Sequence, residues 1–357
     1  MAATDDNGLT TSRPAISVDG QPKPELDGGL LRMQITENTS GLYRCEAAFS
    51  NLGDKDGRSN FLYFDRRTLD FGKAFQVKLE DDFIFDGKIT ALEACFPEGQ
   101  PPEFTVLAED RFQDLRMTRR TRAFTDVSDS DVMNQIAGDH GLRADVGVTG
   151  PSYKLLAQIN QSDLAFLRER ARSIDAELWM DGSTLSAKPR TSRSNGGAIE
   201  LNYGAKLREF TVIADAAGQR TSVIVGGWDV GAKSELKFEA TESAISGELN
   251  GDASGASILQ AAFGDRKESL VHTAPLTSQE TQAEAEAYFK MSARRFVVGR
   301  GVADTTGKLR VGAYVDLKEL GQLFNGKYYL AEVKHVFDLA KGMRTEFVAE
   351  RPGLGRV

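Results

Sequence analysis

Apolar and polar residues alternate in short runs through the first third of the chain, switch to a helical period in the middle, and return to alternation afterwards. Residues 15–18, 30–35, 43–47, 75–79, 83–89 and 104–108 carry the period of two that turns one face of a strand towards a core. Gly, Pro and Asp turns divide these runs, which is the pattern of a sandwich or barrel. An all-β region over residues 14–122 is therefore predicted, behind a polar, flexible lead-in of residues 1–13.

At the end of this region Arg116, Arg119, Arg120 and Arg122 stand among Leu115, Met117 and Phe124. Two readings fit such a run: a solvated edge strand whose charges discourage stray pairing, or a docking surface for an acidic partner.

The period then changes. Ser128, Asp129 and Ser130 offer N-caps to a helix carrying Val132, Met133, Ile136 and Ala137, and Gly141 ends it with Leu142 placed to pack back. Asn160 and Ser162 are candidate caps of a second helix, with Asp163 in its first turn and Leu164, Leu167, Ala171 and Ile174 on one face. Leu178-Trp179-Met180 and residues 184–187 flank Asp181-Gly182, the chemistry of a tight hairpin. Residues 123–192 thus read as an α+β module, a helix packed on a two-stranded ribbon, left through a loop at 191–197.

Strand patterning resumes at 199–201, 207–213 and 221–225, with Gly226-Gly227-Trp228 as a break. Residues 230–275 are polar and rich in Gly and Ser, and predict a surface insertion. Thr277 to Glu280 forms a capping box for a helix with Ala283, Ala287 and Met291 on one stripe and Arg294-Arg295 at its end, predicted to lie across the second β region. The third region is 193–357, with its insertion over about 230–295.

The two β regions look like copies. Val77-Lys78-Leu79 precedes Phe85-Asp86-Gly87-Lys88, and Val315-Asp316-Leu317 precedes Phe324-Asn325-Gly326-Lys327. Phe-(Asp/Asn)-Gly-Lys reads as a hairpin turn, and hairpins recur by chance in any β protein. Duplication is favoured by the preserved order of strand, hairpin, acidic residue (Glu93, Glu332) and closing strand around an unrelated central module.

The run Ser162-Asp163-Leu164-Ala165-Phe166-Leu167-Arg168, followed by a hairpin holding Trp179 and Asp181-Gly182, resembles the hub segment of phage late control D proteins and the related VgrG proteins of type VI secretion. The resemblance implies a mainly β fold with an α+β insert, two tube-like β-barrels flanking the central helix-plus-hairpin module. It implies a homotrimeric baseplate hub of a contractile tail or injection system, joining a trimeric spike to a hexameric inner tube and helping to nucleate tube assembly. Three chains of two similar barrels present six similar units, which agrees with a sixfold tube. Spike, inner tube and baseplate wedge components are the implied partners. The chain stops soon after its second β region, so the spike is expected to be a separate polypeptide.

Composition narrows the remaining classes. With 44 Lys+Arg against 52 Asp+Glu the net charge is -8, which argues against general or specific nucleic-acid binding. Cys45 and Cys95, in separate strand-like runs, are expected to be buried thiols. The N-terminus lacks signal-peptide features and no apolar run approaches ~20 residues, so cytoplasmic assembly in a bacterium without membrane insertion is expected. His140, His272 and His335 lie in different regions without metal-ligand spacing, and no nucleophile elbow or phosphate loop is present. No catalytic, cofactor or metal residue is assigned, and the basic run is the candidate interface. Carboxylates such as Asp81 and Asp82, or Glu93 and Glu109, keep an all-β glycan-processing (peptidoglycan) enzyme as the alternative, with a monomeric adhesion module as a third reading.

Overall fold

The computed structural model describes residues 13–55, 57–193, 197–271 and 275–355. Most of the predicted lead-in, His272 and part of the exit loop at 191–197 lie outside the described residues. The alternating runs form a thirteen-stranded sheet. Within it Leu30–Asn38, Arg44–Ser50, Glu103–Glu109, Asp82–Cys95 and Ala74–Leu79 lie side by side and antiparallel. Leu207–Ala214, Val297–Asp304, Gly342–Arg351, Gly326–Asp338 and Tyr314–Lys318 repeat that order. The unit is duplicated strand for strand.

The copies share two irregularities, though the shift between Val77 and Lys78 belongs to the first alone. A bulge falls between Leu30 and Arg32 in one copy and between Leu207 and Glu209 in the other. A second falls between Ile89 and Ala91, and between Leu330 and Glu332. A bulge leaves one residue unpaired and bends its strand, so its position fixes register. Ile89 therefore corresponds to Leu330, and Val77 to Leu317 rather than to Val315. The sequence repeat was in the right order but two residues out of step, because a shift of two keeps every side chain on its face.

Phe85-Asp86-Gly87-Lys88 is not a turn. Asp82–Cys95 runs straight through it, and the reversal from Ala74–Leu79 falls at Glu80, with φ 55°, and Asp81. Gly87 is needed for close approach instead: a Cβ there would sit 2.3 Å from the Glu109 carbonyl oxygen. In the second copy Asn325-Gly326 closes a longer loop at the mouth of Gly326–Asp338.

The two copies are continuous with each other. After its bulge Gly326–Asp338 leaves Tyr314–Lys318 and pairs Glu332 with Asn38, His335 with Ile35 and Asp338 with Arg32. The tube-like halves are thus parts of one open sheet and neither closes as a barrel. One apolar core gathers Ile35, Phe49, Phe75, Val77, Val106 and Phe337; another gathers Leu207, Val315, Tyr328, Leu330 and Phe347.

The central segment folds as its caps predict. Ser128 and Asp131 form a capping box on Asp129–Asp139, and the Ala165 N–H donates to Ser162 Oγ at 3.2 Å at the start of Asp163–Ser173. Ala176–Asp181 and Thr184–Pro189 form the hairpin, which Arg143–Val146 widens by pairing parallel to Thr184–Pro189. A separate ribbon, Arg119–Ser128 with Ser152–Ser162, covers the helices from the other side of the chain path.

The insertion is a packed unit. Ser222–Asp229 runs unbroken through Gly226-Gly227, pairs with Ser234–Thr241 and Lys267–Leu270, and is covered by Ser278–Arg294. That helix packs on its own sheet through Thr281, Ala285, Phe289 and Ala293 rather than through the predicted Ala283 and Met291. Thr277 caps it as expected, accepting from the Glu280 N–H at 3.2 Å.

Gly87→Ala should lower stability by about 1–3 kcal/mol, the usual cost of overpacking, because the clash is with backbone that cannot rotate away. Urea unfolding of the purified chain measures it, and an unchanged midpoint would refute the close-approach explanation.

Candidate assembly interface

Three groups of buried charge hold the parts of the chain in place. Glu177, on the central hairpin and 7% exposed, accepts from Arg190 Nε at 3.0 Å and from Arg193 Nη1 at 2.9 Å, and also from the Tyr329 hydroxyl. Arg193 donates to the Tyr43 hydroxyl at 2.6 Å, and Arg190 to Glu350 at 2.7 Å. Tyr43 belongs to the first β unit, Tyr329 and Glu350 to the second, so one carboxylate ties both units to the centre. Burial pushes the Glu177 carboxyl up, but the Arg190 and Arg193 charges and the hydrogen bonds from Tyr329 and Arg193 outweigh it and hold it below its ordinary 4.5.

Arg294 closes the insertion onto the centre, donating to Asp175 Oδ2 at 2.8 Å and to Glu248 at 2.6 and 2.9 Å. Glu37 does the same across the junction of the two copies: it accepts from Arg310 and, at 3.0 Å, from the Val311 N–H.

The basic run divides. Arg122 donates to Asp163 at 2.8 Å, to Asp139 at 2.7 Å and to Gln158 at 2.8 Å, and Arg120 lies 3.1 Å from Asp163. His140, at the end of Asp129–Asp139, brings Nε2 to 2.8 Å from the same carboxylate. Burial raises Asp163, and hydrogen bonds from His140 and Gln158 with the charges of Arg122 and Arg120 turn the balance and lower it. These two arginines therefore anchor the first turn of Asp163–Ser173 to the ribbon. Arg116 pairs with Glu109 and Arg119 donates to the Asn160 carbonyl at 3.1 Å, both with exposed side chains.

Among the described residues two stretches of strand edge stay open. Apart from a bridge from Tyr203 to Leu207, Leu207–Ala214 pairs with Val297–Asp304 alone, and Asp82–Cys95 has Glu103–Glu109 on one side while on the other Ala74–Leu79, followed by Ala15–Val18 and Gln21–Pro22, leaves its last residues uncovered. Apolar side chains crowd these edges: Ile213 is 58% and Phe96 63% exposed. Phe96 also joins Phe61 and Phe64, at ring-centroid separations of 6.3 and 5.9 Å, in an exposed aromatic shelf. Cys95, expected to be buried, is exposed because it lies on this uncovered edge, whereas Cys45 is buried in the first core.

The carboxylates nominated for hydrolysis do not converge. Glu109 is taken by Arg44 at 3.0 Å and by Arg116, and Glu93 lies exposed opposite Thr105. Asp81 and Asp82 are exposed at a turn. A cleft of about 220 Å³ between centre, insertion and second unit holds Glu248 and Glu350, each paired with an arginine. Burial pushes the Asp110 carboxyl up to about 7 against the pull of the Tyr43 and Phe112 N–H donors; it accepts from them at 2.8 and 2.9 Å and so ties the start of Arg44–Ser50 to the turn before Phe112–Arg116. His335 is buried at the junction of the copies, held neutral by burial and the Arg310 charge, which lower it to about 3. Among the described residues no helix is long and apolar enough to cross a membrane.

Residues 52–338 match the family model described as the Alg8 N-terminal domain, and the chain belongs to that family. No curated protein sequence matches it. Its fold is that of tail proteins. The 43 kDa tail protein of prophage MuSo2 from Shewanella oneidensis superposes with a TM-score of 0.71 at 11% identity, over 95% of this chain and 98% of that one. A tail protein from Neisseria meningitidis gives 0.66 at 12% identity, over 96% and 97%. The E. coli c3393 protein, a type VI secretion component described as similar to the T4 tail proteins gp27 and gp5, gives 0.54 at 13% identity, over 98% and 78%.

Glu177→Ala should cost about 3–5 kcal/mol, the price of stranding buried charges without their partner, while Glu177→Gln should cost less. Because the folded pKa is depressed, the contribution of Glu177 is present above pH 4.5 and is lost as pH falls through the lower folded value. Urea midpoints between pH 7 and 3 should therefore fall less steeply in Glu177→Gln than in the parent; parallel profiles would show that Glu177 is not the linked group.

Proposed function

We propose that this chain is the structural hub of a contractile phage tail or injection-system baseplate, a homotrimer with pseudo-sixfold symmetry that joins a trimeric spike to a hexameric inner tube and helps nucleate the tube. The observation that carries this reading is the duplicated five-strand unit, laid side by side in one sheet, with Leu207–Ala214 open at one end and the last residues of Asp82–Cys95 left open beyond the reach of Ala74–Leu79 in the other unit. A chain of that form associates head to tail, and such contacts close into a ring when the rotation permits. Three chains then supply six equivalent units, the symmetry a hexameric tube needs. The fold shared with tail proteins and a type VI secretion component supports the same reading.

The hub acts by geometry and adhesion and is not an enzyme. Support comes from the cleft between centre, insertion and second unit, whose carboxylates are each engaged by a guanidinium and so are poorly placed for the acid and base of glycan hydrolysis. Its partners are itself, a separate spike, inner tube proteins and baseplate wedge components, met during assembly in the bacterial cytoplasm. Within the basic run the exposed Arg116, Arg119 and Arg120 contact an acidic partner, with Arg122 holding the ribbon that presents them.

Light scattering and native mass spectrometry of the purified chain should give three times 38.9 kDa. A monomer at every concentration, with or without candidate spike and tube proteins, together with release of soluble fragments from peptidoglycan, would replace this reading by the hydrolase.

A further inference from the structure

The junction between the two copies inside one chain is a template for the junction between chains. We propose that the open edge of Asp82–Cys95 in one copy of the chain adds to the open edge of Leu207–Ala214 in the next, in the register of the internal junction. The second copy as occupant rests on the hub reading; the register rests on the shared bulges.

The correspondence follows residue by residue. Glu332 to Phe337 correspond to Ala91 to Phe96, counted from the bulges after Leu330 and Ile89. Met33 to Asn38 correspond to Phe210 to Asp215, counted from the bulges after Leu30 and Leu207. The internal pairs Val333 with Glu37, His335 with Ile35 and Phe337 with Met33 then become Leu92 with Ala214, Ala94 with Val212 and Phe96 with Phe210. On the other face Val336 with Gln34 becomes Cys95 with Thr211.

Two observations favour this pairing over any other use of the edges. Phe337 is 3% exposed because the neighbouring strand covers it, whereas its counterpart Phe96 is 63% exposed where that strand is missing. The core-facing partners are also apolar throughout: the buried Glu37 and His335 of the internal junction are replaced by Ala214 and Ala94. An edge with unpaired backbone groups and one apolar side is completed by a strand of matching pattern. The ion pair of Glu37 with Arg310 has no counterpart between chains, since Ala214 occupies the position of Glu37.

The chain carries its own probe, the exposed Cys95. In Thr211→Cys, mild oxidation with copper phenanthroline should give dimers and a covalent trimer on a non-reducing gel, reversed by dithiothreitol and absent when Cys95→Ser is added. Val212→Cys, on the opposite face, should link at least tenfold less. If Phe96→Asp is introduced, the trimer should dissociate at least tenfold more readily, while the unfolding midpoint of the monomer falls no further than in Phe61→Ala, which removes a ring contact of the same shelf without touching the pairing edge. A parent chain that is trimeric by mass, yet links through Val212→Cys and not Thr211→Cys, or is indifferent to Phe96→Asp, overturns the register and leaves the hub reading intact. A parent chain that stays monomeric overturns both.

Discussion

Everything in this fold depends on a ladder of backbone hydrogen bonds between Gly326–Asp338 and Leu30–Asn38. It makes one sheet of two units far apart in sequence, and it fixes the angle at which they meet. Tyr314–Lys318 reaches only as far as Tyr329, and beyond the bulge after Leu330 the same edge of Gly326–Asp338 takes up Leu30–Asn38. The long-range pairing is then secured by side chains: Phe337 enters the first core, and Glu37 reaches across to Arg310 and the Val311 N–H.

Buried charge does a different task from buried carbon here. A pair of ions taken out of water roughly recovers its desolvation cost, so the group around Glu177 adds little net stability over an apolar cluster of the same size. What it supplies is directional. Glu177 is satisfied only when Arg190 and Arg193 of the exit turn and Tyr329 of the second unit all arrive, and Arg193 is satisfied further by Tyr43 of the first. Arg294, with Asp175 and Glu248, imposes the same condition on the insertion. The central module thereby acts as a spacer that holds the two β units at one setting, which the proposed ring would need.

Legibility in the sequence followed the range of the interactions. Caps and turns are local, so the Ser128 box, the Ser162 cap and the Asp181-Gly182 hairpin could be read directly. The duplication was legible in its order and not in its register, since a slip of two residues leaves the alternation of Val77 and Leu79 against Val315 and Leu317 unchanged. Gly87 misled because Asp-Gly is usually a turn, whereas here the absent side chain makes room for the Glu109 carbonyl. The helix after Thr277 was legible from its capping box but not in its packed face, because it packs largely through Thr281 and alanines, which give a weak apolar stripe. Arg122 read as surface charge because Asp163, the buried partner that holds it, lies far along the chain.

The open edges could not be found from the sequence at all, because an unpaired strand has the same alternation as a paired one. They become visible only when the second copy of the unit shows what the first lacks. A protein that lives alone blunts such edges with proline, charge or a covering helix; here Glu93 is the one charged side chain among residues 91–95, and Ile213 and Phe96 stand in solvent. Leaving an apolar edge uncovered is a hazard unless another strand is reliably supplied. In the proposed ring, closure would supply it by pairing the two open stretches of every chain with those of its neighbours, and growth would stop once the ring is complete. The same backbone groups that would make an isolated chain prone to stray pairing would then set the size of that assembly.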